Sequence, residues 1–456
     1  MWPLLVYEVP MTSVEAVERM VSRYLRQWLG VPRSFSSIGL YSKGNKFQLP
    51  FSSVVEEYKV GKARQYMMLR DSTDEKVRNA GVEVKTGRKW NVSKSVREAE
   101  SRLQHSDIVG TVTSGKQGLG CVTRSSWKAA DVRERRELVQ RELRKGEEED
   151  RHAKAVTMKN QGSWLNWEKA KDRKLSWNEL WRMGEHKIRF LLRAVYDVLP
   201  SPTNLRTWGL TDDPTCKLCG RFANLEHVLS TCNKALTDGR YRWRHDRVLA
   251  TIAAGLDEAR RKERKGSKGP NFINFVRAGE KSKGMLDVGG ILGTAKDWQM
   301  CADLKEQLKF PQEICITPLR PDIVLWSSTT KQVVMLELTV PWEERMEEAY
   351  ERKRSKYQDL VIECQQNGWR TWCLPVEVGT RGFAGQSLWR AMSTLGVTGK
   401  QRKKIIAEAG REAEESSQWL WMRRDDKWGA DQLLAGADHL SRRTSGGRRG
   451  QRRNDQ

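Results

Sequence analysis

Apolar residues recur at helical spacing over residues 14–29 (Val14, Val17, Met20, Val21, Leu25, Leu29) and again over 54–69, with a Gly- and Ser-punctuated stretch to Pro50 between them. The pattern predicts a small, mostly helical unit. Gly, Thr and Ser dominate residues 110–120 and predict a loop. Residues 132–154 mix Arg and Glu densely, which at helical spacing predicts a solvated helix. An amphipathic helix is expected over 180–199, closed by Pro200 and Pro202, and a basic, Gly-containing linker over 260–269, irregular to about 294. From 305 to 428 short apolar runs alternate with one long helix, an α/β signature.

Composition narrows the partners. A chain of 456 residues exceeds one ordinary core and predicts roughly two to four packed units. Lys and Arg number 82 against 58 Asp and Glu, a net charge of +24, which calls for an anionic partner, nucleic acid first. No apolar run approaches the roughly 18 to 20 residues of a spanning helix, so no membrane role is expected. Residues 1–7 are apolar but lack a basic flank and run into Glu8 and Pro10, so they do not read as a secretion signal. A nuclear or cytoplasmic location is expected. Residues 441–456 carry repeated arginines among Gly, Ser and Gln, a composition that predicts disorder and a sequence-independent grip on phosphate.

Of eight cysteines only Cys216 and Cys219 are closely spaced, a metal pattern and not a disulfide framework. Gly220 follows them, then His227 and Cys232. Three thiolates and one imidazole satisfy tetrahedral zinc with no open position, so the expected role is structural. Just downstream, Arg242, Arg244 and His245 lie beside Tyr241 and Trp243, a grouping suited to nucleic-acid contacts. Nineteen tryptophans are also present; Trp90, Trp164, Trp167, Trp177 and Trp181 sit among Lys and Arg, where they could stack on bases. Anchoring small helical cores is the stronger expectation for them.

A second constellation lies near the C-terminal third. Residues 323–326 form a short apolar run, 327–332 a polar turn, and 333–340 an apolar run interrupted by Glu337. Together they predict a hairpin. A turn centred between Thr329 and Thr330 places Trp326 opposite Val333, Leu325 opposite Val334, and Asp322 opposite Glu337. Facing Cβ atoms lie about 4.5 to 5.5 Å apart, and like charges at that spacing are destabilising without a cation between them, a requirement that a divalent metal meets.

The helix expected after Pro341 has an apolar stripe (Met346, Tyr350, Tyr357, Leu360, Cys364) whose missing steps are Lys353 and Lys356. Glu337 lies about 10 to 13 Å back along the strand and Lys353 about 16 Å into the helix, so antiparallel packing brings them together. Glu377, on a third strand over 372–378, is a further acidic candidate for the same site.

Arg320, Pro321 and Asp322, then Glu337 after fourteen intervening residues, then Lys353 and Lys356, resemble the restriction-like endonuclease of site-specific non-LTR retrotransposons, a relative of the PD-(D/E)XK nucleases. The Cys-His knuckle followed by Arg244, His245 and Asp246 resembles paired motifs of those Pol proteins. Leu29, Val31, Pro32, Arg33 and then Gln48, Leu49, Pro50 resemble the thumb that follows their polymerase palm. Thr339 stands where the wider nuclease pattern has a strand lysine, which moves that role to Lys353 or Lys356. No paired aspartates of a palm motif precede the thumb-like segment, so no DNA synthesis is expected of this chain.

The resemblance implies a multidomain protein: a mostly α N-terminal half, a small zinc knuckle, and an α/β restriction-endonuclease-like C-terminal domain. Its implied divisions are a helical thumb-like segment 1–110, a basic Trp-rich helical region 111–205, the knuckle with its Arg-His-Asp motif 206–255, a linker 256–304, the endonuclease 305–430 and an Arg-rich tail 431–456. It also implies the chemistry. Asp322 and Glu337 hold Mg²⁺, which polarises the scissile phosphate and acidifies the attacking water, while Lys353 or Lys356 positions or deprotonates that water. Structural Zn²⁺ sits at Cys216, Cys219, His227 and Cys232, and Arg242, Arg244, His245 and Arg320 contact nucleic acid. The implied partners are DNA, nicked for target-primed reverse transcription, and the element's RNA. A non-catalytic zinc-dependent nucleic-acid binder and a decayed retroelement fragment are the other readings.

Overall fold

The computed structural model describes residues 1–109, 111–115, 118–122, 126–264, 290–304 and 307–428. The chain forms two compact units, one from Met1–Leu165 with Lys174–Arg189, the other from Asn166–Arg173 with everything from Phe190 onward. The Arg-rich tail, residues 265–289 and the turn of the 111–122 hairpin lie outside the described residues.

Unit one is helical, as its apolar spacing predicts. Its main helices are α1 (Met11–Trp28), α2 (Val54–Arg70), α3 (Val92–Val109) and α4 (Val132–Val156). Val60, Ala63 and Met67 of α2 meet Val96, Ala99 and Leu103 of α3 and Val139 and Leu143 of α4 in one core. The charged α4 is therefore not simply solvated. Asp131 and Glu134 close a capping box at its start, and Arg144 reaches Glu56 at 2.9 Å and Glu57 at 2.7 Å on α2. Thr111–Gly115 pairs antiparallel with Gly118–Val122 where a loop was expected, since alternating β-branched Thr and Val favour the extended chain. The amphipathic stretch expected over 180–199 is also broken: a helix ends at Arg182 and another begins at Glu185.

The second unit contains a four-stranded mixed sheet in the order β1 (Gln299–Ala302), β2 (Ile323–Ser327), β3 (Gln332–Thr339), β4 (Arg370–Glu377). The first two pairings are antiparallel and β3–β4 is parallel. A parallel neighbour requires a crossover, supplied here by α6 (Met346–Lys356) and α7 (Gln358–Gln366). The single helix expected there breaks at Tyr357. Alternation along β3 splits its side chains. Val334, Leu336 and Leu338 enter a core with α5 (Arg240–Arg264), α8 (Gln386–Leu395) and α9 (Gly399–Met422), while Val333 and Met335 pack with Tyr357, Leu360 and Cys364. Helices α5 and α9 cross closely at Gly255, where a Cβ would stand 2.5 Å from Ile405 Cγ1.

The expected linker 256–304 thus starts inside α5, whose Leu256 and Ala259 are core residues. Two further anchors fix the sheet. Asp297 accepts from Ser327 Oγ at 2.6 Å and from Thr329 N at 3.0 Å, pinning the β2–β3 turn. Burial alone would raise the Asp297 carboxyl, but the Ser327 and Thr329 bonds hold it down to about 2. At the far end of β3, Arg381 Nε and N donate to Glu343 at 2.6 and 2.7 Å, both residues being fully buried. The guanidinium lies 3.6 Å from the Trp342 ring centroid and 3.9 Å from that of Trp167. Among the described residues no helix is long and apolar enough to cross a membrane.

Candidate metal centre and acidic cleft

The Cys/His cluster is built locally. Cys216 N bonds Arg221 O at 2.7 Å and Gly220 N bonds Cys216 O at 2.8 Å, a tight loop that Gly220 permits at φ +69°. A π-helical turn over His227–Thr231 follows; its i→i+5 pattern brings His227 and Cys232 to one side. The four ligand atoms lie within 4.8 Å of one another. Cys216 Sγ and Cys232 Sγ are 3.9 Å apart, against about 3.8 Å for two 2.3 Å zinc–sulfur arms at a tetrahedral angle. Burial, reinforced by Arg221, holds the His227 imidazole below its ordinary value, which favours the neutral, ligating form. The sequence-predicted ligands therefore form one cluster able to bind a metal such as zinc.

The hairpin adopts the expected register, with Ile323 opposite Leu336, Leu325 opposite Val334 and Trp326 opposite Val333. Just beyond the last pair, Asp322 N donates to Glu337 Oε2 at 3.2 Å and Leu338 N donates to Asp322 Oδ2 at 2.7 Å. Each carboxylate thus accepts from a backbone amide of the opposite strand, and both residues line one cleft. Cationic groups of the chain stand against both of them. Lys353 Nζ forms an ion pair with Glu337 Oε1, and Lys356 Nζ lies 3.6 Å from the same oxygen. Asp322 Oδ2 lies 3.3 Å from His245 Nε2, whose Nδ1 lies 3.0 Å from Asp246. Burial alone would lower the His245 imidazole, but Asp246 and Asp322 more than offset it and raise it to about 9. Each acid has a counter-charge from the chain, so their proximity does not by itself require a divalent ion.

These groups line a cleft of about 550 Å³. Arg242, Arg320, Arg345, Arg352 and Lys356 are exposed along it. Tyr357 donates to Arg320 O and accepts from Lys356, both at 2.9 Å; burial and then Glu337 push its hydroxyl well above the ordinary range. Arg244 departs from its expected role. It is 1% exposed, donates to Ser417 at 3.0 Å, and burial pushes its guanidinium down to about 10, so it braces α5 against α9. His245 likewise is committed to Asp322 and Asp246 and not to a surface contact. Glu377 does not line the cleft: its carboxyl bonds Ser387 on α8, and burial pushes it up to about 7.

A magnesium ion is ordinarily held by one or two carboxylates plus waters and substrate phosphate. Asp322 and Glu337 meet that description, and Thr339, another lining residue of the cleft, has a buried Oγ1 with no hydrogen-bond partner among the described residues. The residues fit the ion once a phosphate completes its shell. The sequence pattern does not mark Arg345, Arg352 or Tyr357 as site residues. The first two look like ordinary helix charges in the sequence, and Tyr357 like one more apolar step. No family model and no curated protein matches this chain.

Proposed function

We propose that this chain hydrolyses phosphodiester bonds in DNA at the Asp322–Glu337 cleft, as the endonuclease-bearing part of a non-LTR-retrotransposon-like Pol protein. The observation that carries the reading is the meeting of Asp322 and Glu337 across the hairpin, with Lys353 on Glu337, in an open cleft edged by arginines. Mg²⁺ held by the two acids supplies Lewis-acid polarisation of the phosphoryl oxygen and a more acidic water. Lys353, only partly exposed, is placed to hold a water or a non-bridging oxygen once its ammonium releases Glu337. Arg320 and Arg352, which have no ion-pair partner among the described residues, take flanking phosphates at the rim. The Cys/His cluster, with all four positions filled by protein, holds local structure and takes no part in bond breaking.

A second reading is favoured by one specific feature. Both acids are already neutralised by Lys353 and His245, an arrangement that also suits a non-catalytic, zinc-dependent nucleic-acid binder. Supercoiled plasmid separates the two. With Mg²⁺ the parent chain is expected to produce open circles, and Asp322→Ala and Glu337→Ala are expected not to. Equal nicking by all three proteins, or none by the parent while it still binds the plasmid, would favour the binder.

A further inference from the structure

The candidate zinc cluster and the acidic cleft are separated in sequence but joined by one helical turn. Tyr241 and His245 lie four residues apart near the start of α5 and so share a face. The Tyr241 hydroxyl donates within reach of two carbonyls of the metal-binding turn, His227 O at 3.1 Å and Val228 O at 3.0 Å, and accepts from Cys232 N at 3.2 Å. One turn on, His245 Nε2 lies 3.3 Å from both Asp322 Oδ2 and Leu338 O, with Asp246 behind it on Nδ1. A second tie runs in parallel. Glu226, next to the ligand His227, pairs with Arg345 at the entrance of α6, the helix that carries Lys353. Leu225 and Leu229 pack in one cluster with Trp342. Ser230 and Thr231 of the metal-binding turn line the same cleft as Asp322 and Glu337.

We infer that His245 is a positioning residue for Asp322, and that the Cys/His cluster sets His245 in place through Tyr241. The cluster is thereby a wall of the cleft and fixes one of its acids. As to the role of that acid, the inference rests on the nuclease reading. The placement itself does not. Without its imidazole bridge, Asp322 keeps only the Leu338 amide as an anchor on Oδ2 and swings more freely. An outer group that orients a metal-binding carboxylate is ordinarily worth about 10- to 100-fold in metal affinity.

The test uses the full zinc-loaded chain, with His245→Ala, His245→Gln, Tyr241→Phe and Asp322→Ala. Mn²⁺ affinity is read by titration without DNA, and exchange of the Leu338 amide by hydrogen–deuterium mass spectrometry without Mn²⁺ or Mg²⁺. His245→Ala is expected to weaken the Asp322-dependent Mn²⁺ binding about 10- to 100-fold and to speed Leu338 exchange. His245→Gln, whose amide N–H can replace Nε2, is expected to restore most of both. Tyr241→Phe shifts both in the same direction, by less, with zinc content unchanged. Parental Mn²⁺ affinity and parental Leu338 exchange in His245→Ala overturn the inference, as does a Gln variant no better than Ala. If Asp322→Ala binds Mn²⁺ like the parent, the nuclease reading fails instead, and Leu338 exchange still decides whether His245 holds Asp322.

Discussion

The Cys/His cluster and the Asp322–Glu337 cleft lie in one compact unit, yet they solve the problem of buried charge in opposite ways. In the cluster three thiols and an imidazole point at one spot, a donor set that one metal ion could satisfy at once. In the cleft two carboxylates from facing strands line one space, where lysine and histidine pair with them. The first arrangement has four protein donors and no open position; the second pairs its acids with protein cations along an open cleft.

The largest effect that would break this contrast is on the cluster. Cys216→Ser is expected to lower zinc from one ion per chain to none and to remove about 10 to 16 kcal/mol of apparent binding energy from local folding. Elemental analysis beside circular dichroism would show it; a variant that keeps its zinc and its fold would make the cluster an accident. Next comes the frame behind the cleft. Glu343→Ala leaves Arg381 buried between two tryptophans without its partner and is expected to cost about 3 to 5 kcal/mol in chemical denaturation. A loss under about 1 kcal/mol would show the pair to be dispensable.

Glu377 sharpens the boundary of the cleft. Its folded-state value of about 7 lies above the usual carboxylate value, so its neutral form suits the fold. The associated stability is complete below about pH 4.5 and is lost as pH rises through about 7. Glu377→Gln is therefore expected to match the parent near pH 4.5 and to exceed it at pH 8 by up to about 3 kcal/mol. Equal denaturation midpoints at pH 8 would put the carboxyl in contact with water. The smallest effect concerns the rim: Arg352→Ala is expected to weaken duplex binding slightly and to reduce the log–log salt slope by roughly 0.9. An unchanged slope would remove Arg352 from the phosphate path.

How much of this is readable from the chain depends on how local the cause is. The cluster needs only short spacings, and all four ligands follow from them. The hairpin register is also local, set by a polar turn between two apolar runs, so the meeting of Asp322 and Glu337 and the approach of Lys353 are legible. What is not legible depends on long-range packing. Arg244 reads as a phosphate contact until α9 is seen to cover it and Ser417 to hold it. Arg381 has no local signature at all, because its partners Trp167, Trp342 and Glu343 come from distant segments. Trp164 and Trp167 prove to be buried anchors, whereas Trp177 and Trp181 are about half or more exposed, a distinction their basic neighbourhoods do not reveal. The Asp297 clamp on the hairpin turn is hidden for the same reason, lying 30 residues before the serine it binds.

Cleavage of an end-labelled duplex under single-turnover conditions, comparing the parent with the near-isosteric Asp322→Asn and Glu337→Gln variants in Mg²⁺, decides whether the two acids carry hydrolysis. Duplex affinities are expected within a few-fold of the parent, with cleavage rates reduced on the order of 10³-fold, equivalent to about 4 kcal/mol. Parental cleavage rates in both amide variants would remove Asp322 and Glu337 from the reaction.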